Sequence, residues 1–517
     1  MTSMTPAGDE TGRPGRRRAR LATAAVGTLA VVSLVACAPA APDTADRSIV
    51  IAVAGISSNF DPVNGAWLYG SFDTQAVYDS LIVWDQDTGA FDPCLATDWQ
   101  IAPDRKSMTM DLRDDVDFVD GTHLDAEGVA SFLTAALANP TYAQGRLSGI
   151  HGLTVEAVDE YRLEFTVAKT PIDLYFLILV AMTPIPSAAA ISDPESLATT
   201  AVGSGPYVVE ETVPEVSVTL VRNEDYWDLD AFPFERIELK VFVDNVAALN
   251  ALKTGQVDAA GLDIPLAVEA AASGFVLTSG SKFSRLLYIQ DRAGAINPAF
   301  ADVRVRQAMN LAFDRQAILD NIDLGYGYVS SQVYTKGQPG YLEGRDDEYP
   351  YDPERARELL AEAGYPEGFD LTIPTTGYLA PFDPVVQQYL GDIGIRVTFE
   401  TLEIGDYVTR ASGGEFPVIM WAEMFPTINE GFFGADSFWN GSHFTTPEVE
   451  DLVFEVGSAD PEEATAAAQK LAEYMLEEAW LVPFARPATI WASTDEVDVR
   501  VEKFVYSDQL RWFQLAE

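Results

Sequence analysis

An α/β fold on largely parallel or mixed sheets is what this sequence predicts, and three observations carry that expectation. Alternating, β-branched segments are interleaved with helix-periodic ones along nearly the whole chain. No internal repeat is present, which sets aside solenoids and propellers. Beyond the first 36 residues no apolar run reaches membrane length.

The elements follow in order. Residues 48–54, SIVIAVA, fit a buried strand, and Asn59-Phe60-Asp61-Pro62 reads as a turn. Residues 73–81 read as a helix. Short strands begin near 95–99, and 107–112, SMTMDL, alternates with period two. Asp125 is placed to cap a helix running to Ala138. Residues 161–167 alternate again. The stretch 174–182, LYFLILVAM, lies between Asp173 and Pro184, and reads as a buried element. Gly203-Ser204-Gly205-Pro206-Tyr207 is a tight turn feeding a strand, with glycine supplying positive φ. It has no Lys-Ser/Thr ending and no following helix, so it is not a phosphate loop. Residues 235–243 alternate as a strand, and 244–254 read as a helix closed by Gly255. Residues 303–322 have one continuous helical period. The helix 353–363 has Asp352 as N-cap, Pro353 in its first position and Gly364 at its C-terminal cap. A helix at 383–390, strands at 395–399 and 418–421, and helices at 448–456 and 461–479 complete the series.

Charge restricts the partners. The 517 residues carry a formal net charge of -46. Such a surface repels phosphate backbones and excludes nucleic-acid binding as a reading. The two Cys, 37 and 94, make neither a disulfide framework nor a metal cluster, and the three His are scattered. No metal and no cofactor is expected, and Cys94 is expected to pack as a small apolar residue.

The N-terminus reads as an address. Arg13, Arg16, Arg17, Arg18 and Arg20 precede a 16-residue apolar run, LATAAVGTLAVVSLVA, the layout of a secretory signal over 1–36. The run ends Leu34-Val35-Ala36-Cys37 and resembles a bacterial lipobox, in which Cys37 is lipidated and becomes the new N-terminus. The Arg run leaves both the Sec and the twin-arginine export routes open. Residues 37–47 have the Ala-, Pro- and Asp-rich composition of a tether. The mature protein is thus expected outside the cytoplasm, anchored to the outer face of the cell membrane without spanning it.

Several segments together resemble one family, the extracellular solute-binding proteins of the peptide, nickel and opine class, family 5. The resemblance runs from about residue 49 to about 490. Leu95-Ala96-Thr97-Asp98-Trp99, Pro103-Asp104 and Leu112-Arg113-Asp114-Asp115-Val116 follow its signature, with Phe118, Asp120 and Gly121. Gly203 to Tyr207 matches its Gly-Thr-Gly-Pro-Tyr turn with Ser for Thr, and Arg222-Asn223 and Tyr226-Trp227 follow. Asp302-Val303-Arg304-Val305-Arg306 with Asp314-Arg315, then Tyr351-Asp352-Pro353 and Gly394-Ile395-Arg396-Val397, complete the set.

The resemblance implies a periplasmic-binding-protein-like type II fold, two lobes joined by a hinge and three domains by count. Domain I would combine 48–83, 200–282 and 488–517. Domain II would be the inserted 84–199, and domain III, the opposite lobe, 283–487. It implies a ligand held between the lobes and delivered to ABC permease subunits with a cytoplasmic ATPase, by a monomer and without catalysis. Arg304, Arg306 and Asp314 are expected to pair and cap.

The ligand-binding residues implied are Asn59, Phe60, Trp67 and Tyr69 after the first strand, and Tyr378 before the helix at 383–390. Trp421, Glu423, Phe425, Asn429 and Trp439 follow from the aromatic segment after the strand at 418–421. Loops after strands carry such residues on a rigid scaffold, and aromatic rings exclude water from a bound ligand. Dipeptide-binding relatives place an Asp after this Trp for the peptide amine; here no Asp occurs from Trp421 to Gly434. Some carry an Arg for the carboxylate in the stretch matching 375–382, which here has none. An oligopeptide or peptide-like ligand is the first reading. A neutral oligosaccharide or other small solute, a surface signalling receptor and a secreted hydrolase are the alternatives. The hydrolase lacks a Gly-x-Ser-x-Gly stretch.

Overall fold

The computed structural model describes residues 47–57, 59–62, 72–85, 90–138, 152–168, 172, 174–191, 197, 200–281, 284–423, 432–435, 437–457, 461–501 and 508–516. The signal segment, Cys37, nearly all of the tether, Trp67, Tyr69, Phe425 and Asn429 lie outside them.

The first strand, β1 (Ser48–Val53), sits at the centre of a seven-stranded sheet. Its period of two sends Ile49, Ile51 and Val53 to one core and Ala52 to another on the opposite face. Between β1 and the next strand of this sheet the chain makes a separate layer. After β2 (Ile82–Trp84) and β3 (Phe91–Pro93) come β4 (Ala96–Ile101), β5 (Ser107–Leu112), β6 (Thr154–Asp159) and β7 (Arg162–Thr166). The last four pair antiparallel in the order β4-β5-β7-β6. Met108, Met110, Leu163 and Phe165 alternate inward against Val129, Phe132 and Leu133 of the helix Ala126–Ala138. Asp125 Oδ1 accepts from Gly128 N at 2.7 Å and opens that helix.

The chain then returns to the large sheet through β8 (Tyr207–Val213), β9 (Ser217–Arg222), β10 (Arg236–Val241), β11 (Ala259–Gly261) and β12 (Val276–Ser281). It leaves again into β13 (Ser284–Ile289), β14 (Phe369–Thr375), β15 (Ile395–Thr401), β16 (Val418–Glu423) and β17 (Leu481–Ala485). These surround a fourth core, with β13 between β16 and β17. It comes back once more as β18 (Ala488–Ser493), so the large sheet runs β12-β18-β11-β1-β10-β9-β8.

Of the two sheet types expected, the mixed one is found: β1–β10, β1–β11 and β14–β15 are the described parallel pairs, and the layer β4-β5-β7-β6 is wholly antiparallel. Two expectations are corrected. The helix expected at 73–81 ends at Val77, because Gly205 N takes the Val77 carbonyl that a continuing helix would need. Residues 303–322 form two helices, Val303–Leu311 and Arg315–Asn321, because Asp314 Oδ1 accepts from Ala317 N at 2.9 Å and starts the second.

The Gly-Ser-Gly-Pro-Tyr turn is built for another reason than positive φ. Neither Gly203 nor Gly205 is in the left-handed region. A Cβ on Gly203 would lie 1.9 Å from Val77 O, so the residue is glycine to let two backbones touch. Asp302 holds Arg304, Arg306 meets Glu478 and Phe300 O, and Asp314 caps, as expected of a structural motif. Caps also hold where expected: Asp352 accepts from Arg355 N, and Gly255 and Gly364 take φ +69° and +96°. Asp244, read as the first helical residue, is instead an N-cap that accepts from Val246 N and Ala247 N.

Candidate functional site

Two passages of chain connect the large sheet with the β13-centred sheet. β12 leads to β13, and β17 leads back to β18. β12 pairs with β18 on one side, with Ser281 opposite Ala488. β13 pairs with β17 on the other, with Arg285 opposite Ala485. The passages therefore form a ribbon of neighbouring antiparallel strands, and each sheet offers one edge to it. β11 is antiparallel to β18, and β1 is parallel to β11, so the C-terminal end of β1 points to the ribbon-side edge of the large sheet. Asn59 and Phe60 come soon after it. On the other sheet, β13 and β16 are antiparallel with Ser284 opposite Glu423, so Trp421 to Glu423 end at the ribbon-side edge.

Aromatic rings line this second edge. Trp421 stacks on Tyr407 at 5.6 Å between centroids and lies 4.5 Å from Trp439. Trp439 in turn stacks on Phe432 at 6.2 Å. Tyr407 is locked beneath by its hydroxyl, which donates to Met420 O at 2.5 Å, while Trp421 and Trp439 stay half-buried. Burial pushes the Tyr407 hydroxyl up, so this ring is neutral. Such a shelf can stack on a flat or apolar ligand surface. Tyr378, which follows β14, is 62% exposed.

The other expected residues divide. Asn59 uses its side-chain oxygen in a local turn, accepting from Asp61 N at 3.0 Å. Phe60 is 4% exposed and packs in the core with Ile51 and Tyr78, and its carbonyl accepts from Tyr78 Oη. A ring so enclosed has little surface left for a ligand. Glu423 ends β16 at the edge.

Sequence reasoning missed Arg285. It is the second residue of β13, with its guanidinium 3.9 Å from the centre of the Phe382 ring and Nη1 3.7 Å from Asp323 Oδ1. Burial lowers the Arg285 pKa and raises that of Asp323, each opposed by the other's charge. The signal was present: one charge in an otherwise apolar strand core, SRLLYI.

A hydrolytic arrangement is not formed by the described histidines. His123 Nδ1 meets Asp117 Oδ1 at 2.6 Å, and that hydrogen bond raises its pKa. His443 Nδ1 donates to Ala435 O at 2.7 Å. Neither is hydrogen-bonded to a Ser or Cys. Among the described residues no three His, Cys, Asp or Glu side chains converge as metal ligands, and no helix is long and apolar enough to cross a membrane. Cys94 is buried, with Sγ 3.7 Å from Asp79 Oδ1.

Comparison with known proteins agrees with this architecture. The chain is 26% identical over 408 residues to the heme-binding protein A of Haemophilus influenzae, covering 72% of this chain and 70% of that one. It is 27% identical over 417 residues to the di/tripeptide-binding protein 1 of Pseudomonas aeruginosa, covering 73% and 76%. Among solved structures it is similar to the ABC transporter-associated periplasmic binding protein DppA of Helicobacter pylori in complex with peptide STSA. There the TM-score is 0.73 at 25% identity, covering 91% of this chain and 98% of that one. The profile described as bacterial extracellular solute-binding proteins, family 5 Middle, matches residues 90–445. With two sheets joined by a ribbon and an aromatic shelf at the junction, the chain belongs to the family 5 extracellular solute-binding proteins.

Proposed function

We propose that the protein captures an oligopeptide or peptide-like solute outside the cytoplasm and hands it to an ABC importer, tethered to the membrane through a lipid on Cys37. The observation that carries this reading is the Tyr407–Trp421–Trp439 shelf at the edge facing the ribbon. A ligand resting there would be covered when the ribbon bends and the lobes approach. The peptide class is supported by the di/tripeptide-binding and peptide-complexed relatives.

The hydrophobic cores, two on the large sheet and one in each of the other parts, support a division into domain I (48–83, 200–282 and 488–517), domain II (84–199) and domain III (283–487). In this reading Trp421, Glu423, Phe425, Asn429, Trp439 and Tyr378 meet the ligand from domain III. Asn59, Trp67 and Tyr69 meet it from domain I. The protein acts as a monomer beside its permease and ATPase partners.

Native mass spectrometry of the protein purified from its own host tests the ligand class. A retained mass that fragments into amino acids is expected; a retained hexose series would replace the peptide by a sugar. Labelled peptides should come back intact and in stoichiometric amount. Cys37→Ser is expected to release the protein from the membrane fraction, and continued membrane retention of that variant would end the lipid-anchor reading.

A further inference from the structure

Buried arginines in the β13-centred lobe give most of their N–H groups to fixed acceptors, although Nε of Arg292 and of Arg486 has none. Arg292 donates to Tyr288 Oη, Ile289 O, Asn440 Oδ1 and Phe444 O. Arg306 donates to Phe300 O, Glu478 O and Glu478 Oε2. Arg315 donates to Pro483 O, Asn310 O, Asn310 Oδ1 and Tyr349 O. This is how a protein keeps a desolvated guanidinium.

Arg285 departs from that pattern. Its side chain is only 18% exposed, yet among the described residues it donates no hydrogen bond. Nη1 is buried, and its distance of 3.7 Å from Asp323 Oδ1 is too long for one. Asp323 thus balances the charge in part but leaves the planar fork open. Phe382 stacks against the guanidinium and fixes its plane, and Tyr378 is close enough to act on it electrostatically.

The same region holds other unspent groups. Ser284 Oγ, one residue before Arg285, is buried without a hydrogen-bond partner. So is Thr376 Oγ1, between β14 and Tyr378. All sit where the ribbon joins the β13-centred sheet. Groups left unsatisfied at a junction that closes over a ligand are placed to be satisfied by it.

We propose that Arg285 is the anchor for a carboxylate of the ligand, held in the fork of its guanidinium. This rests on the capture reading above and narrows it to acidic ligands, a peptide C-terminus included. A planar fork matches a carboxylate bidentately. A chain with a net charge of -46 repels anions in general, so an acidic ligand needs one local cation with donors to spare.

The test uses the full mature protein and four probe sets: di- to pentapeptides as free acids, the same peptides as C-terminal amides, non-peptide carboxylic acids, and their methyl esters. Retention of acids over the neutral forms by the wild type is expected, with affinity falling about ten- to a hundredfold in Arg285→Gln and less in Arg285→Lys. Equal retention of peptide acids and amides overturns the assignment while leaving peptide capture in place. Selective retention of non-peptide acids keeps Arg285 and overturns peptide capture. Retention of nothing overturns both. Melting curves identify a misfolded variant, and the acid-over-amide preference of the wild type decides the question even then.

Discussion

The guanidinium of Arg105 lies 4.2 Å over the ring of Phe454, and its Nη1 donates a 2.7 Å hydrogen bond to the Phe454 carbonyl. Arg105 stands in the turn between β4 and β5 at φ +54°, and Phe454 stands on the helix Pro447–Val456. One contact thus links the antiparallel layer to the β13-centred lobe. Cation–π and hydrogen-bond terms of this kind contribute about 1–2 kcal/mol together. If the contact holds the lobes together, Arg105→Ala lowers the closed population. The ligand then binds about three- to tenfold more weakly, and the free protein scatters X-rays as a larger particle. Gly457→Ala should act in the same direction, since its Cβ would lie 2.5 Å from Arg105 Nη1. Unchanged affinity and unchanged scattering would show that the contact does not govern closure.

A pH dependence follows from Asp79. Burial pushes its carboxyl up from 3.8 to about 6, against the lowering effect of hydrogen bonds from Tyr226, Ser204, Trp227 and Cys94. A carboxyl raised on folding favours the folded state while protonated. That contribution is full below the unfolded value and is lost as pH rises through the folded one. Wild type should therefore lose about 2 kcal/mol relative to Asp79→Asn between pH 4 and pH 7. Urea unfolding of both proteins across that range measures it; a constant difference would refute it.

Aromatic stacking at the shelf predicts a fluorescence signature. Ligand binding should shift the tryptophan emission of the wild type. Trp421→Ala should weaken binding by about tenfold or more and diminish that shift. Trp491→Phe, which alters a ring packed in the core of the large sheet, should leave the ligand response in place. An equal response from all three proteins would remove the shelf from the site.

Close backbone contact at the glycine turn predicts a sharp asymmetry. Gly205→Ala puts a Cβ 2.5 Å from the Val77 carbonyl carbon and should cost more than about 3 kcal/mol or prevent folding. Gly377→Ala meets nothing within 4 Å and should stay within about 1 kcal/mol of wild type. Expression and urea midpoints read the contrast.

Local signals in the sequence carried the local structure well. Asp352-Pro353 and Gly364 bracket a helix because their chemistry acts within a turn or two of chain. The break at Asp314 was hidden, since the apolar period runs on through it while a short-range cap decides. The site was legible in part. Trp421 and Trp439 stood out as aromatics after a strand, but Phe60 looked the same and lies in a core. Arg285 was visible as an odd charge. Its position at a junction depends on registers with Ala422 and Ala485, well over a hundred residues away. Nothing within its own strand reports that.

The order of strands has a consequence for biogenesis. β18 lies between β11 and β12, so two segments are held apart by one made some two hundred residues after them. Until the ribosome has passed residue 493, β12 has no strand to join it to the contiguous β11-β1-β10-β9-β8 part of the large sheet. A chain arrested or truncated before that point would present bare strand margins on β11 and β12. Proteolytic clearance, rather than a half-functional fragment, is the fate such a topology favours.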